Sequence, residues 1–357
     1  MESTYPCGES FHWAPLFRFV VHLGLSMYLP ETYFLALSFM ICSMLCWGSW
    51  ANTMKLCPGY RFQLYYWDYV VGIFAGVAMW GLSLGSFGST GLPFLQGLSA
   101  AHFHPVLDAI VSGALFNLAN ILLVAAIEVA GMAVAFPVGI GLALIIGAVG
   151  SYIFSPQGNP WLLFGGIALV ITAILCDSLA YRERESASRK GNRRGIALCL
   201  ISGALMGSFY PLISRAMSGP EALGPYVAAL PFAAGVALCA LPVNAFLMRY
   251  PIDGGERTSM QGYRRAPARW HIAGIFGGAI WASGAILNFA ASRVHFVGPA
   301  ISYSIGQGAT MVSSSWGIFI WHEFRSPTPR TRMMLFWMYV CFLAGLTAIA
   351  IAPLVRP

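Results

Sequence analysis

Apolar runs of about 20 residues, separated by short polar stretches, dominate the chain. They fall near Thr32–Ala51, Trp67–Ser86, Val106–Ile127, Gly131–Phe154 and Trp161–Ala180, and again near Gly195–Arg215, Tyr226–Leu247, His271–Ala291, Val297–Trp321 and Met333–Pro353. A bilayer core takes about 20 apolar residues of helix, whereas barrel strands are about ten residues long and alternate in polarity. The pattern therefore predicts an all-α integral membrane protein with about ten transmembrane helices. Residues 1–31 are expected to form an extension outside the bundle: Phe19–Leu25 is too short to span, and no small-residue cleavage site follows it. Met27 is a second candidate start.

The two halves resemble one another. Gly113-Ala114-Leu115-Phe116 aligns with Gly278-Ala279-Ile280-Trp281, and Ala125-Ala126 with Ala290-Ala291. Beyond a two-residue insertion at His295-Phe296, Gly131, Ala133, Gly139 and Gly141 align with Gly298, Ala300, Gly306 and Gly308. Gly48-Ser49-Trp50 aligns with Gly207-Ser208-Phe209. The expected organisation is a first five-helix repeat over 32–180, a basic cytoplasmic linker over 181–194 and a second five-helix repeat over 195–353. Five crossings per repeat is odd, so the second copy enters the membrane the opposite way round, and inverted repeats are a transporter architecture.

Composition agrees: of 357 residues 58% are hydrophobic and 9% charged, against roughly 25% charged in a soluble domain. Sixteen of the twenty Lys and Arg residues fall in alternate loops, around Lys55 and Arg61, Arg182–Arg194, Arg249–Arg269 and Arg325–Arg332. By the positive-inside rule those loops face the cytoplasm and both termini face out. The net charge of +7 is thus a topology signal and not a nucleic-acid surface. The expected location is a plasma membrane of the bacterial inner-membrane kind. The eight cysteines form no CxxC pair, and no phosphate loop, HExxH zinc site or GxSxG elbow occurs. Neither an enzyme, an ATP-driven pump, a metal nor a cofactor is expected. Glycine-rich faces would serve packing within one bundle or between two, so a homodimer stays open.

A neutral polar solute needs donors and acceptors at mid-membrane with aromatic faces beside them. The candidates are Trp47, Ser49, Trp50 and Asn52 in the first run, Asn117 and Asn120 in the third, Trp281 and Asn288 in the eighth, and Tyr303, Ser304, Gln307 and Thr310 in the ninth. Asn117 and Asn120 are i, i+3, and Tyr303 and Gln307 are i, i+4, so each pair shares a helix face. Serine and threonine hydroxyls in spans commonly bond back to their own helix, and Asn or Gln commonly ties helix to helix. Asp68, Asp108, Glu128, Asp177, Arg293 and Glu323 all fall at predicted helix ends, where an interfacial role is expected. Glu128, beside the Val129–Gly131 turn, is the candidate for proton coupling.

Several segments resemble the drug/metabolite transporter superfamily, and within it the glucose/ribose-type sugar permeases and the plant ureide permeases. Val297-Gly298-Pro299-Ala300-Ile301-Ser302-Tyr303-Ser304-Ile305-Gly306-Gln307, with Ser315-Trp316-Gly317-Ile318-Phe319-Ile320-Trp321-His322-Glu323-Phe324-Arg325, is similar to the ninth span of the sugar permeases and the turn after it. Trp47-Gly48-Ser49-Trp50 resembles their first span, and Val129–Pro137 their third-to-fourth turn. Ser83–Thr90 and Met27-Tyr28-Leu29 resemble the ureide permeases more closely, but Phe136-Pro137 stands where those carry an acidic residue. The resemblance implies a secondary transporter that moves a small neutral polar metabolite, foremost a sugar, by alternating access, with proton symport as an option. A ureide or nucleobase permease of the same fold and a non-transporting membrane receptor are the alternatives.

Overall fold

A computed structural model describes residues 26–184, 193–251 and 255–355, without the side chains of Glu128, Met132, Ala133, Phe136 and Arg184. The long helical runs are α1 (Tyr33–Leu56), α2 (Phe62–Leu82), α3 (Phe103–Ala130), α4 (132–154), α5 (Pro160–Arg184), α6 (Arg193–Ala216), α7 (Pro225–Arg249), α8 (Ala268–Ser292), α9 (298–320) and α10 (Pro329–Ile351). Eight of these are long and apolar enough to cross a membrane. The other two are α2 and α9, and each falls short for a physical reason. Tyr65, Tyr66, Asp68 and Tyr69 lower the hydropathy of α2, yet they point into the bundle, the three tyrosines being 0% exposed. α9 is broken: helix Gly298–Gly306 gives way to Ala309–Ser315 and then to a π-helical turn at Trp316–Ile320.

Local chemistry sets the helix boundaries. The Thr32 hydroxyl accepts the Leu35 N–H at 3.3 Å and Thr328 accepts the Thr331 N–H at 3.1 Å, capping α1 and α10. Proline opens α7 at Pro225 and α10 at Pro329, where its missing N–H costs nothing. Gly131 (φ 80°), just before α4, and Gly298 (φ 73°), the first residue of α9, hold positive-φ turns, conformations that residues with a Cβ rarely adopt. Pro137 lies in the π turn at Phe136–Ile140, whereas Pro211 sits within an unbroken α6. Residues 26–28 lie on the loop after α2, with bridges from Ser26 to Gly88 and Met27 to Thr90, and the Tyr28 N–H donating to the Leu84 carbonyl at 2.8 Å. Residues 1–25, and 185–192 of the expected 181–194 linker, lie outside the described residues, while 181–184 end α5 and 193–194 begin α6.

Packing runs through glycine. There is no room for a Cβ at Gly72 of α2, which faces the Ile275 carbonyl of α8, or at Gly278 of α8, which faces the Tyr69 carbonyl of α2. The same reciprocal contact joins α3 to α7: Gly113 meets the Phe232 carbonyl and Gly235 the Ile110 carbonyl. Gly48 of α1 lies against Ala309 and Val312 of α9, as Gly207 of α6 lies against Ala143 and Ile146 of α4. Gly166 of α5 and Gly345 of α10 face one another's segments. More broadly, the contacts of α3 with α6 and of α4 with α6 have counterparts in α8 with α1 and α9 with α1.

Gly278→Val and Gly113→Val should each force two backbones apart and lower stability by about 1–3 kcal/mol, the usual cost of overpacking. Gly165→Ala, where nothing lies within 4 Å, should leave stability unchanged. Thermal unfolding of the detergent-purified protein measures all three.

Candidate functional site

The middle of the bundle holds an aromatic cluster built from α1, α2, α3, α7 and α8. The Trp281 ring lies nearly parallel to Phe116 (centroids 4.2 Å apart, 28°), Phe232 (5.8 Å, 13°) and Trp47 (6.3 Å, 19°). Trp50 lies 4.7 Å from Tyr69, and Tyr69 lies 5.2 Å from Tyr66. Amides meet this wall of rings. The Tyr66 hydroxyl donates to Asn117 Oδ1 at 2.7 Å and accepts from Asn120 Nδ2 at 3.3 Å. Three buried polar groups around the same rings make no hydrogen bond among the described residues: Trp47 Nε1, Asn117 Nδ2 and the Tyr69 hydroxyl. Burying a polar group without a partner costs free energy, so native interiors rarely leave them so. Each of the three lies beside flat rings of this buried cluster.

A second set of candidates ties helices together beside this cluster. The Tyr210 hydroxyl donates to Asn288 Oδ1; Asn288 Nδ2 donates to the Ser302 carbonyl at 3.0 Å, and the Ser302 hydroxyl returns a bond to the Asn288 carbonyl at 2.9 Å. Tyr303 packs 4.6 Å from the Tyr210 ring and donates to the Ala143 carbonyl at 3.2 Å. Phe209 joins the two sets, 5.4 Å from Phe116 and 6.3 Å from Tyr303. Ser304 and Thr310 bond back to their own helix, at the carbonyls of Ala300 (2.7 Å) and Gln307 (3.1 Å). The half-buried Gln307 side chain makes no hydrogen bond among the described residues.

Ser49 and Asn52 lie elsewhere, at the end of α1 that the charge pattern assigns to the cytoplasm. Trp316 Nε1 donates to Ser49 Oγ at 2.9 Å and Trp321 Nε1 to Asn52 Oδ1 at 2.6 Å, closing α1 against α9. The same end is tied by Lys55 with Glu323 (2.6 Å) and by Thr53 with Tyr65 (2.6 Å). Asp68 is near a helix end as expected and is 2% exposed. It accepts from Tyr60 (2.9 Å) and Tyr263 (2.6 Å) and lies 3.0 Å from His271 Nδ1. Burial first, and then the Asp68 carboxylate, push the Tyr60 and Tyr263 phenols above their usual range, so both remain donors. Asp177 is likewise buried, at 1% exposed. Glu128 lies in the last turn of α3 and its side chain lies outside the described residues. Its counterpart in the aligned halves, Arg293, donates to the Met217 carbonyl, and burial lowers its pKa.

Tyr65, Tyr66 and Tyr69 of α2 are not among the candidates drawn from residue type, although the run Tyr65-Tyr66-Trp67-Asp68-Tyr69 is too polar to face lipid and signals an inward helix; nor is Tyr210, which partners Asn288. The cluster is closed to solvent: Trp281 is 5% exposed and Asn117 0%. A cavity of about 750 Å³ does open elsewhere, lined by Trp67, Leu241, Met248, Arg249 and Arg257, but no candidate residue lines it.

Apolar helices around a buried interior of rings and amides suit a membrane transporter, and it is the similarity to known proteins that places the chain in that class. The family described as Sugar transport protein matches residues 77–352, and the chain belongs to that family. Ureide permease 2 of Arabidopsis thaliana is 21% identical over 90% of this chain and 98% of its own length. Ureide permease 1 of the same plant is 22% identical with the same coverage. One solved crystal structure aligns with a TM-score of 0.60 at 15% identity, over 87% of this chain and 96% of its own, and shows the likeness of fold.

Tyr66→Phe strands both Asn117 and Asn120 and should cost about 1–3 kcal/mol of stability. Tyr69→Phe removes a hydroxyl that has no partner and should be neutral or stabilising. Thermal unfolding of the two variants side by side measures the contrast.

Proposed function

We propose that this protein is a secondary transporter that takes up a small neutral polar metabolite, foremost a sugar, by alternating access. The observation that carries the proposal is the buried cluster of Trp47, Trp50, Tyr69, Asn117 and Trp281, where unpartnered donors sit beside flat rings. Rings cover the apolar face of a pyranose while amide and indole N–H groups take its oxygens. Ser49, Asn52, Asn120, Asn288, Tyr303, Ser304, Gln307 and Thr310 complete the proposed path, those already hydrogen-bonded acting by holding the walls. The tied cytoplasmic end and the closed cluster are what an alternating-access protein has in a state with its inner gate shut.

The proposed scaffold is ten spans in two inverted repeats of five, with both termini outside. Matched glycines making matched contacts support this: Gly113 and Gly278, and Gly48 and Gly207, aligned in sequence, meet corresponding neighbours. The positive-φ turns at Gly131 and Gly298 also correspond. Proton symport, with Glu128 as a coupling carboxylate, is part of the proposal. A ureide substrate is the second reading, favoured by the names of the two Arabidopsis relatives.

Purified protein in proteoliposomes should accumulate a labelled hexose or pentose when an inward proton gradient is imposed, and Asn117→Leu should reduce that uptake at least tenfold. Competition by allantoin or uracil but not by sugars would replace the sugar reading with the ureide one. Entry of no solute from such a panel would overturn both. If Glu128 carries the proton, Glu128→Gln should abolish accumulation and spare exchange without a gradient.

A further inference from the structure

We propose that Asp177, with Ser314, forms the binding site for a small coupling cation. The proposal rests on the transporter reading for its purpose but not for its geometry. Asp177 lies in the last third of α5 and is 1% exposed. Its Oδ2 accepts from the Ser314 hydroxyl at 2.9 Å, while its Oδ1 is buried with no partner among the described residues. No Lys, Arg or His pairs with it among the described residues. The titratable groups in electrostatic reach from the elements around it are Cys176 on its own helix, Tyr339 on α10 and Glu323 beyond α9. Glu323 has the same sign and is itself taken up by Lys55 at 2.6 Å and by Tyr181 at 3.1 Å. Lys55 offsets the Glu323 charge, and no cation pairs with Asp177 itself among the described residues.

A carboxyl held at membrane depth with one oxygen unsatisfied is expensive, and a bound cation removes that cost. Proton and sodium share the chemistry that would do so: a small, hard positive charge that takes carboxylate and hydroxyl oxygens. The location supplies the coupling. Ser314 is the penultimate residue of the α9 segment Ala309–Ser315, directly before the π-helical turn at Trp316–Ile320, and such turns gather at functional sites. One turn earlier the same segment bears Thr310, and Gln307 just precedes it. A single broken element thus reaches from the proposed solute path to the Asp177 carboxylate. A shift of α9 that opens the path also moves the hydroxyl that holds the cation site together.

The test uses the full chain and needs no transported solute for its first arm. Thermal unfolding of purified protein is followed in sodium chloride against choline chloride at fixed pH, and then from pH 5 to 9 in choline alone. Wild type should be stabilised by sodium, or by falling pH if the cation is a proton, and Asp177→Asn should lose that response. Ser314→Ala keeps the carboxyl and should move the half-maximal sodium concentration, or the proton concentration, by about tenfold; it decides the matter if Asp177→Asn does not fold. Equal responses in wild type and variants would overturn the proposal. In the second arm, Asp177→Asn should lose gradient-driven accumulation and keep solute exchange in proteoliposomes. If no solute enters with wild type either, the transport reading fails while the first arm still judges the site.

Discussion

Helices in lipid gain nothing by hiding apolar side chains from one another, because the acyl chains are as apolar as they are. Close contact between backbones has to hold the bundle instead, and that requires residues without side chains. At the crossings of α2 with α8 and of α3 with α7, glycines on both partners face the opposite carbonyls. Everything in the interior is hung on these contacts. They set the spacing at which Trp281 reaches Phe116 and Phe232, and at which the α2 tyrosines reach the α3 amides.

A second constraint follows from the same solvent. Polar groups inside the bundle cannot borrow water from the bilayer, so each must find a protein partner, a cavity water or a ligand. Most do. Asn288 is bonded by Tyr210 and Ser302, and Asp68 accepts from two phenols. Among the buried side-chain atoms without a partner among the described residues, those of Trp47, Tyr69 and Asn117 border the rings and that of Asp177 is a carboxylate oxygen, which suits a solute and an ion respectively; others, such as those of Ser43, Ser151 and Asn244, belong to neither place.

Much of this was legible in the chain before any coordinates. The apolar runs foretold the helices within a few residues, because their length and continuity are set by bilayer thickness. α2 was legible as a helix but not as a wall of the interior, since its tyrosines have amphipathic rings that suit a membrane interface as well as a buried cluster. Asp68 and Asp177 were legible as helix-end residues; their burial depends on the loop residue Tyr60, the short helix Met260–Arg265 and the path of α9, none of which hydropathy encodes. Nor does local sequence tell a hydroxyl that reaches across, like Ser314, from one that bonds to its own turn, like Ser304. Trp47, Asn117 and Trp281 were found from their residue types at mid-span, but the ring-on-ring order around Trp281 belongs to three-dimensional packing alone.

The glycine crossings also bear on movement. Where two helices meet through long side chains, rotamers can shift and let one slide along the other. Where backbone lies on backbone there is no such compliant layer, so the pair turns as one lever or comes apart. α2 is thereby yoked to α8, α3 to α7 and α5 to α10, each yoke taking one member from either half of the chain. Rocking of this bundle is then a motion between such pairs and not between the first half and the second, with the Trp281 stack at the place where the α2–α8 and α3–α7 pairs touch.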